Sequence, residues 1–161
     1  MRHAKAEPFA ATDHERVLTD RGRRAATDAG THLAATGLVP DHALVSTAAR
    51  AVATWEAVAA ACGSTAEASL EGAVYTGSAD VVLEALQAVP AAAEVVIFVG
   101  HNPSLAYLAH ILDDGNGDPA AVREMLQGYP ADALAVFEVE LGWADLAAET
   151  GRLVDFYVGR G

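Results

Sequence analysis

The sequence contains one cysteine, few basic residues and no long apolar run, and each shortage argues against a class of protein. Cys62 alone can form neither an internal disulfide nor a cysteine-built metal site, which is typical of a reducing compartment. Lysine and arginine number 10 against 22 aspartate and glutamate residues, and a net charge of −12 argues against binding to nucleic acid or anionic lipid. The strongest apolar run, Val95 to Val99, is far shorter than the roughly 20 residues of a membrane helix. The first residues also lack the apolar stretch of a signal peptide, so we expect a cytoplasmic protein.

The length of 161 residues and the hydrophobic content of 52% suit one folded domain over residues 1–161. Strand patterns alternate with helix patterns along the chain. Strands are predicted at residues 42–46, 68–70, 95–99, 134–141 and 153–158, and helices at 20–36, 48–61, 80–88 and 103–112. This alternation indicates an α/β fold, a three-layer sandwich with a mostly parallel central sheet flanked by helices. Ligands of such sheets collect at the carboxyl ends of the strands.

Basic and imidazole side chains stand at three such places. Arg2 and His3 begin the chain, Arg50 follows the strand at 42–46, and His101 follows the strand at 95–99. Arginine binds phosphate oxygens in a bidentate manner and stays charged. Imidazole is a competent nucleophile toward phosphorus near neutral pH, because its ordinary pKa is about 6.5. The sequence therefore predicts a phosphate site in which one histidine attacks and the other groups stabilise the developing charge.

Four segments carry a resemblance to a known family. Arg2-His3-Ala4 resembles the Arg-His-Gly/Ala motif of the histidine phosphatase superfamily, whose members have a phosphoglycerate mutase-like fold. Three further segments are similar to those of the short bacterial SixA-type phosphohistidine phosphatases: Leu18-Thr19-Asp20-Arg21-Gly22-Arg23, Ser46-Thr47-Ala48-Ala49-Arg50-Ala51 and Val99-Gly100-His101-Asn102-Pro103. The four segments occur in the family's order between residue 1 and about residue 110, and this makes the resemblance specific. The short chain leaves no room for a large cap over the site.

The resemblance implies a role for each residue of these motifs. His3 would be the nucleophile and would be phosphorylated transiently. Arg2, Arg50 and His101 would hold the phosphoryl oxygens, and Asn102 would contribute to substrate binding beside His101. The implied reaction is metal-independent and needs no cofactor.

The remaining candidate residues rest on weaker grounds. The superfamily often places an acidic proton donor after the third strand, where Glu71 is the nearest match and Asp80 the second. SixA-type members are those in which this acid is poorly defined, so neither residue need be the donor. For Asp80, capping of a helix N-terminus is the favoured role. Arg16 and Arg21 are candidates for guiding an acidic phosphoprotein to the pocket.

The implied function is dephosphorylation of protein phosphohistidine. Two alternatives stay open at this point, a phosphatase of a small phosphometabolite and a binding module for phosphate or phosphoproteins that has lost catalysis. A phosphoglycerate-type mutase is disfavoured because those members are longer and have a well-marked acid. One departure from the family is that only Met1 precedes Arg2, where a central strand is usual. Either the numbering starts at an internal methionine of a longer chain, or the sheet lacks this strand and His3 is poorly anchored.

Overall fold

The computed structural model describes residues 1–161, in which helices and strands alternate up to the fourth helix and are followed by a fifth helix and two strands. The helices are α1 (Asp20–Thr36), α2 (Ala49–Cys62), α3 (Ala79–Gln87), α4 (Ser104–Leu112) and α5 (Pro119–Gln127). The strands are β1 (His42–Ser46), β2 (Ala68–Glu71), β3 (Val96–Val99), β4 (Ala133–Val139) and β5 (Gly151–Val158). Single turns of 3-10 helix lie at Asp13–Glu15, Ala73–Tyr75 and Trp143–Asp145. None of the helices combines the length and the apolar character needed to cross a membrane.

Backbone pairing joins the strands through the first residues of the chain. Strands β2, β1 and β3 are parallel and neighbour one another in that order, whereas β4 and β5 form an antiparallel pair. Residues 1–3 lie between the two groups. Arg2 bridges Gly100 in the parallel sense, and its N–H donates to the carbonyl of Ala133 at 2.8 Å. The order across the molecule is therefore β2, β1, β3, residues 1–3, β4 and β5.

Two apolar clusters cover opposite faces of the sheet. Because successive side chains of a strand alternate between faces, Val45 and Val99 pack toward α1 and α2, where Trp55 is buried. Leu44 and Phe98 point the other way, into a cluster formed with α3, α4 and α5. The three-layer α/β sandwich predicted from the alternating pattern is thus confirmed, and no large cap is present.

The ends of α1 follow from local chemistry. The Thr19 side chain accepts a hydrogen bond from the N–H of Gly22 at the start of the helix. Gly37 ends it with φ of 76°, a left-handed conformation that glycine adopts without a steric penalty. The sequence pattern predicts both ends but does not predict α5, which Asp118 caps by accepting from Ala120 and Ala121.

The first residues of the chain anchor His3 from both sides. The N–H of His3 donates to Gly100 at 3.0 Å, and the His3 carbonyl accepts from Asp132 at 3.3 Å. Met1 is buried, and its amino group donates to Phe98 at 2.7 Å, while burial lowers the pKa of this amine to about 5. The poor anchoring expected for His3 is therefore not observed. A cavity of about 510 Å³ occupies the remaining space between β3 and β4.

Candidate active site

Three of the predicted residues meet at the carboxyl ends of the strands. The Nε atom of Arg50, in the first turn of α2, donates to Nε2 of His3 at 3.2 Å. The ring centroids of His3 and His101 are 5.0 Å apart. Arg50 is buried and both histidines are half-buried. Residues separated by as many as 98 positions in the sequence thus share one pocket.

The ring of His3 is held in one orientation and in the neutral form. Its Nδ1 atom lies 2.7 Å from the Ala4 carbonyl, so Nδ1 carries the hydrogen and donates, which leaves the lone pair on Nε2. Burial is the main cause that lowers the pKa of His3 to about 4; the Ala4 bond opposes it, and the charges of Arg50 and Arg2 contribute to the lowering. At neutral pH the ring is therefore an uncharged base whose unprotonated nitrogen, Nε2, accepts the hydrogen bond from Arg50.

His101 is fixed by a buried hydroxyl at the end of β1. Its Nε2 atom lies 2.8 Å from the Oγ atom of Ser46, and its Nδ1 atom is buried without a hydrogen-bond partner. Burial lowers the pKa of His101 to about 3, with smaller effects from His3 and Arg50. A phosphoryl dianion in this pocket would favour the protonated ring, because an opposite charge nearby raises the pKa of an imidazole.

Arg2 and Asn102 are tied to a single backbone carbonyl. The NH1 atom of Arg2 and the side-chain amide of Asn102 donate to the Tyr129 carbonyl at 2.9 and 2.8 Å. The Nε atom of Arg2 is buried with no hydrogen-bond partner, and the charge of Arg2 contributes to the low pKa of His3. Burial lowers the pKa of Arg2 itself, and the nearby Asp132 opposes this effect. Arg2 thus places a fixed positive charge near His3.

The motif that begins at Leu18 holds the backbone that follows His3. The N–H and the hydroxyl of Thr19 both donate to the Lys5 carbonyl, at 2.9 and 3.1 Å. A Cβ atom at Gly22 would lie 2.1 Å from the same oxygen, so only glycine allows α1 to approach this closely. The N–H of Ala4 donates to the buried hydroxyl of Thr54 on α2 at 2.9 Å. These contacts explain why glycine stands at position 22 in a segment far from the nucleophile in sequence.

Asp13 and Tyr75 belong to the site and are missed by the sequence analysis. The Asp13 carboxylate accepts from Arg50 NH2 at 3.0 Å, from Arg16 NH1 at 2.8 Å and from the Tyr75 hydroxyl at 2.6 Å. Its backbone carbonyl accepts from Arg50 NH1 at 2.6 Å. The bonds from Tyr75 and Arg16 hold the pKa of Asp13 well below its ordinary range, so the carboxylate is charged. Nothing in the spacing of either residue in the sequence indicates these contacts.

Neither of the two candidate proton donors is hydrogen-bonded to the three central side chains. Glu71 is the last residue of β2, and its carboxylate accepts from the N–H of Ala73 at 3.1 Å. It forms no hydrogen bond with the histidines or Arg50. Asp80 is exposed in the first turn of α3, and the N-cap of that helix is Ser78, so the capping role expected for Asp80 is wrong.

The two arginines expected to guide a substrate occupy different surfaces. Arg16 donates from Nε to the Glu7 carbonyl at 2.6 Å and pairs with Asp13, and its charge contributes to the low pKa of His3. Arg21 is exposed on the first turn of α1, where its backbone packs against Gly161. Of the two, Arg16 is paired with a residue that binds Arg50.

Comparison with known proteins was made on the sequence and on the fold. No protein-family model matches the chain. An uncharacterized protein of Mycobacterium tuberculosis is 36% identical over 162 residues, with 99% of this chain and 100% of that protein covered. The structure of a proposed phosphohistidine phosphatase, SixA, from Nakamurella multipartitia is 34% identical, with a TM-score of 0.87 and coverage of 99% of this chain and 93% of that chain. A proposed SixA from Agrobacterium tumefaciens is 26% identical, with a TM-score of 0.79 and coverage of 98% and 94%.

A structure of the protein histidine phosphatase SixA complexed with tungstate shares the fold, with a TM-score of 0.78 at 23% identity and coverage of 98% of this chain and 94% of that chain. The fold and the similarity to these proteins show a phosphatase of the histidine phosphatase superfamily. Within that superfamily, the chain belongs to the SixA-type phosphohistidine phosphatases.

Proposed function

We propose that the protein dephosphorylates phosphohistidine side chains of other proteins through a covalent intermediate on His3. The supporting observation is the neutral ring of His3, whose Nε2 atom faces Arg50 and lies beside His101. A neutral imidazole nitrogen attacks phosphorus at neutral pH without first losing a proton. The similarity to proposed phosphohistidine phosphatases supports the choice of substrate class.

The reaction consists of two displacements at phosphorus. In the first, Nε2 of His3 forms a bond to phosphorus while the bond to the substrate nitrogen breaks; that nitrogen keeps the electron pair and takes up a proton from solvent, which the attacking water returns in the second step. In the second, a water oxygen attacks phosphorus, the bond to His3 breaks, and inorganic phosphate leaves. One phosphohistidine and one water are consumed, and one histidine and one phosphate are produced. Arg2, Arg50 and His101 bind the phosphoryl oxygens in both steps.

The position of the acidic residues fits a nitrogen leaving group. Glu71 and Asp80 form no hydrogen bond with His3, and we assign neither of them as the proton donor. An imidazole leaving group needs less protonation than an alkoxide does, so a phosphohistidine substrate tolerates a site without a dedicated acid. Arg16, which pairs with Asp13 beside Arg50, would attract an acidic phosphoprotein surface, and Arg21, exposed on the first turn of α1, is a candidate for the same role.

Replacement of the nucleophile tests the proposal. His3→Ala should lower kcat on a histidine-phosphorylated protein by about 10³-fold or more, because no other group can form the covalent bond. During turnover the wild-type protein should carry phosphate that is stable in base and labile in acid, and His3→Ala should carry none. His110→Ala, which changes an exposed histidine of α4, is the matched control and should retain wild-type activity.

The outcome also separates the alternatives. Full activity in His3→Ala ends the proposal. Turnover that depends on His3 but is confined to small phosphoesters would assign a phosphometabolite as the substrate. Tight binding of phosphate with no hydrolysis of any phosphoramidate or aryl phosphate would identify a binding module.

A further inference from the structure

Four rings form a continuous row that starts at the proposed nucleophile and runs out of the phosphoryl pocket. His3 is followed by His101 at 5.0 Å, by Tyr75 at a further 5.4 Å and by His14 at a further 5.0 Å, measured between ring centroids. The two outer contacts are edge-to-face, at 82° and 79°. Only the first two rings belong to the proposed phosphoryl chemistry. Tyr75 and His14 extend the row beyond it.

Tyr75 is held in place as a wall of the pocket. Its hydroxyl donates to the Asp13 carboxylate at 2.6 Å, and the guanidinium carbon of Arg50 lies over its ring, 5.7 Å from the centroid. The adjacent Val74 is buried and fixes the turn that follows β2. The bond to Asp13 raises the pKa of Tyr75, so the phenol keeps its proton and is poorly suited to be an acid. The ring itself, half-buried beside two phosphoryl-binding groups, is what Tyr75 offers a substrate.

The location of this wall matches the path of a leaving group. In a displacement at phosphorus the attacking and leaving atoms lie roughly in line, so the leaving group lies on the side of phosphorus away from His3. Tyr75 contacts Arg50 and His101, the two groups proposed to bind the phosphoryl oxygens, and His101 is the ring that stands between Tyr75 and His3 in the row. His14 lies further out and is fixed by a 3.0 Å hydrogen bond to Thr47. A leaving group on that side passes the Tyr75 ring.

We propose that Tyr75, backed by His14, is a specificity-determining residue that receives a flat ring in the leaving group and so favours imidazole over leaving groups without a ring. Flat rings pack favourably against the edge or face of a tyrosine. The inference rests on the proposed function, because it concerns the same phosphoryl pocket. It adds a source of selectivity that the phosphoryl-binding residues lack, since these contact only the group that every substrate shares.

Two substrates with the same phosphorus–nitrogen bond isolate this effect. Phosphohistidine releases an imidazole ring, whereas phosphoramidate releases ammonia. Tyr75→Leu should lower the ratio of kcat/KM for phosphohistidine to kcat/KM for phosphoramidate by about tenfold, the size expected for loss of one aromatic contact, because any disturbance of Asp13 and Arg50 affects both substrates alike. Tyr75→Phe keeps the ring and loses the bond to Asp13, so it should retain the wild-type ratio between the substrates. Tyr107→Leu changes an exposed tyrosine of α4 and is the matched control.

The ratio of kcat/KM between the two substrates decides the result, because a loss of folded protein lowers the activity on both substrates equally. Two results would overturn the role of the ring while leaving the proposed function intact. One is an equal loss of kcat/KM on both substrates in Tyr75→Leu. The other is a lower phosphohistidine-to-phosphoramidate ratio of kcat/KM in Tyr75→Phe than in the wild type. A wild-type protein that hydrolyses phosphoramidate but not phosphohistidine would overturn the proposed function and this inference with it.

Discussion

The neutral form of His3 in the folded protein makes stability depend on pH. The pKa of His3 is about 4 in the folded state, against an ordinary value of 6.5, so between these values the unfolded chain binds a proton that the folded chain does not. Stability is therefore fully present above pH 6.5 and falls as the pH is lowered toward 4. At pH 5 the unfolded pKa lies 1.5 units above the pH, and 1.36 kcal/mol per unit gives a loss of about 2 kcal/mol relative to pH 7.5.

Urea denaturation at pH 7.5 and pH 5 measures this contribution. His3→Gln removes the titrating ring, so the variant should lose about 2 kcal/mol less stability between the two pH values than the wild type loses. Comparing each protein with itself cancels any change in packing caused by the substitution. His110→Gln, on the exposed face of α4, should behave as the wild type does. An equal pH dependence in His3→Gln and the wild type would show that His3 is not held in the neutral form by burial.

Two further substitutions test the contacts that support the pocket. Gly22→Ala places a Cβ atom 2.1 Å from the Lys5 carbonyl and should lower the free energy of unfolding by about 1–3 kcal/mol, measured by thermal or urea denaturation. Arg23→Ala, at the exposed neighbouring position, should change the free energy of unfolding by less than about 0.5 kcal/mol. Equal losses of stability in the two variants would contradict the close approach of Gly22 to Lys5. Ser46→Ala removes the hydroxyl that binds His101 and should lower kcat/KM by about tenfold, so unchanged kinetics would exclude a positioning role for Ser46.

The parts of the fold that the sequence predicts are those built from local pattern. The caps at Thr19 and Gly37 mark the two ends of α1, and apolar runs that lie next to glycine or proline identify β1 and β3. Helix α5 is not predicted, because its buried stripe consists only of Ala121 and Met125 and follows a glycine-containing loop. Residues 1–3 are too short to show any periodicity. Their place in the sheet depends on pairing with residues about 100 and 130 positions away.

The same distinction holds for the pocket. The meeting of His3, Arg50 and His101 follows from a topological rule, because the carboxyl ends of parallel strands lie at one edge of the sheet. The position of an acidic side chain near that edge follows from no such rule. Glu71 stands at the end of β2 as expected, but its carboxylate binds the nearby Ala73 N–H. Strand order alone therefore does not say where a carboxylate at a strand end will point.

Asp13 shows what a motif analysis omits about the electrostatics of the pocket. The two terminal nitrogens of Arg50 donate to Asp13 and its Nε atom donates to His3, so each of the three nitrogens has a partner before any substrate binds. A guanidinium has five N–H groups, and one on each terminal nitrogen is left for a phosphoryl oxygen. The Asp13 carboxylate holds Arg50 in position, yet it also repels a phosphoryl dianion bound to the same guanidinium. The affinity of the site for phosphate is therefore set by a balance between Asp13 and the arginines, which the positions of the arginines and histidines in the sequence do not reveal.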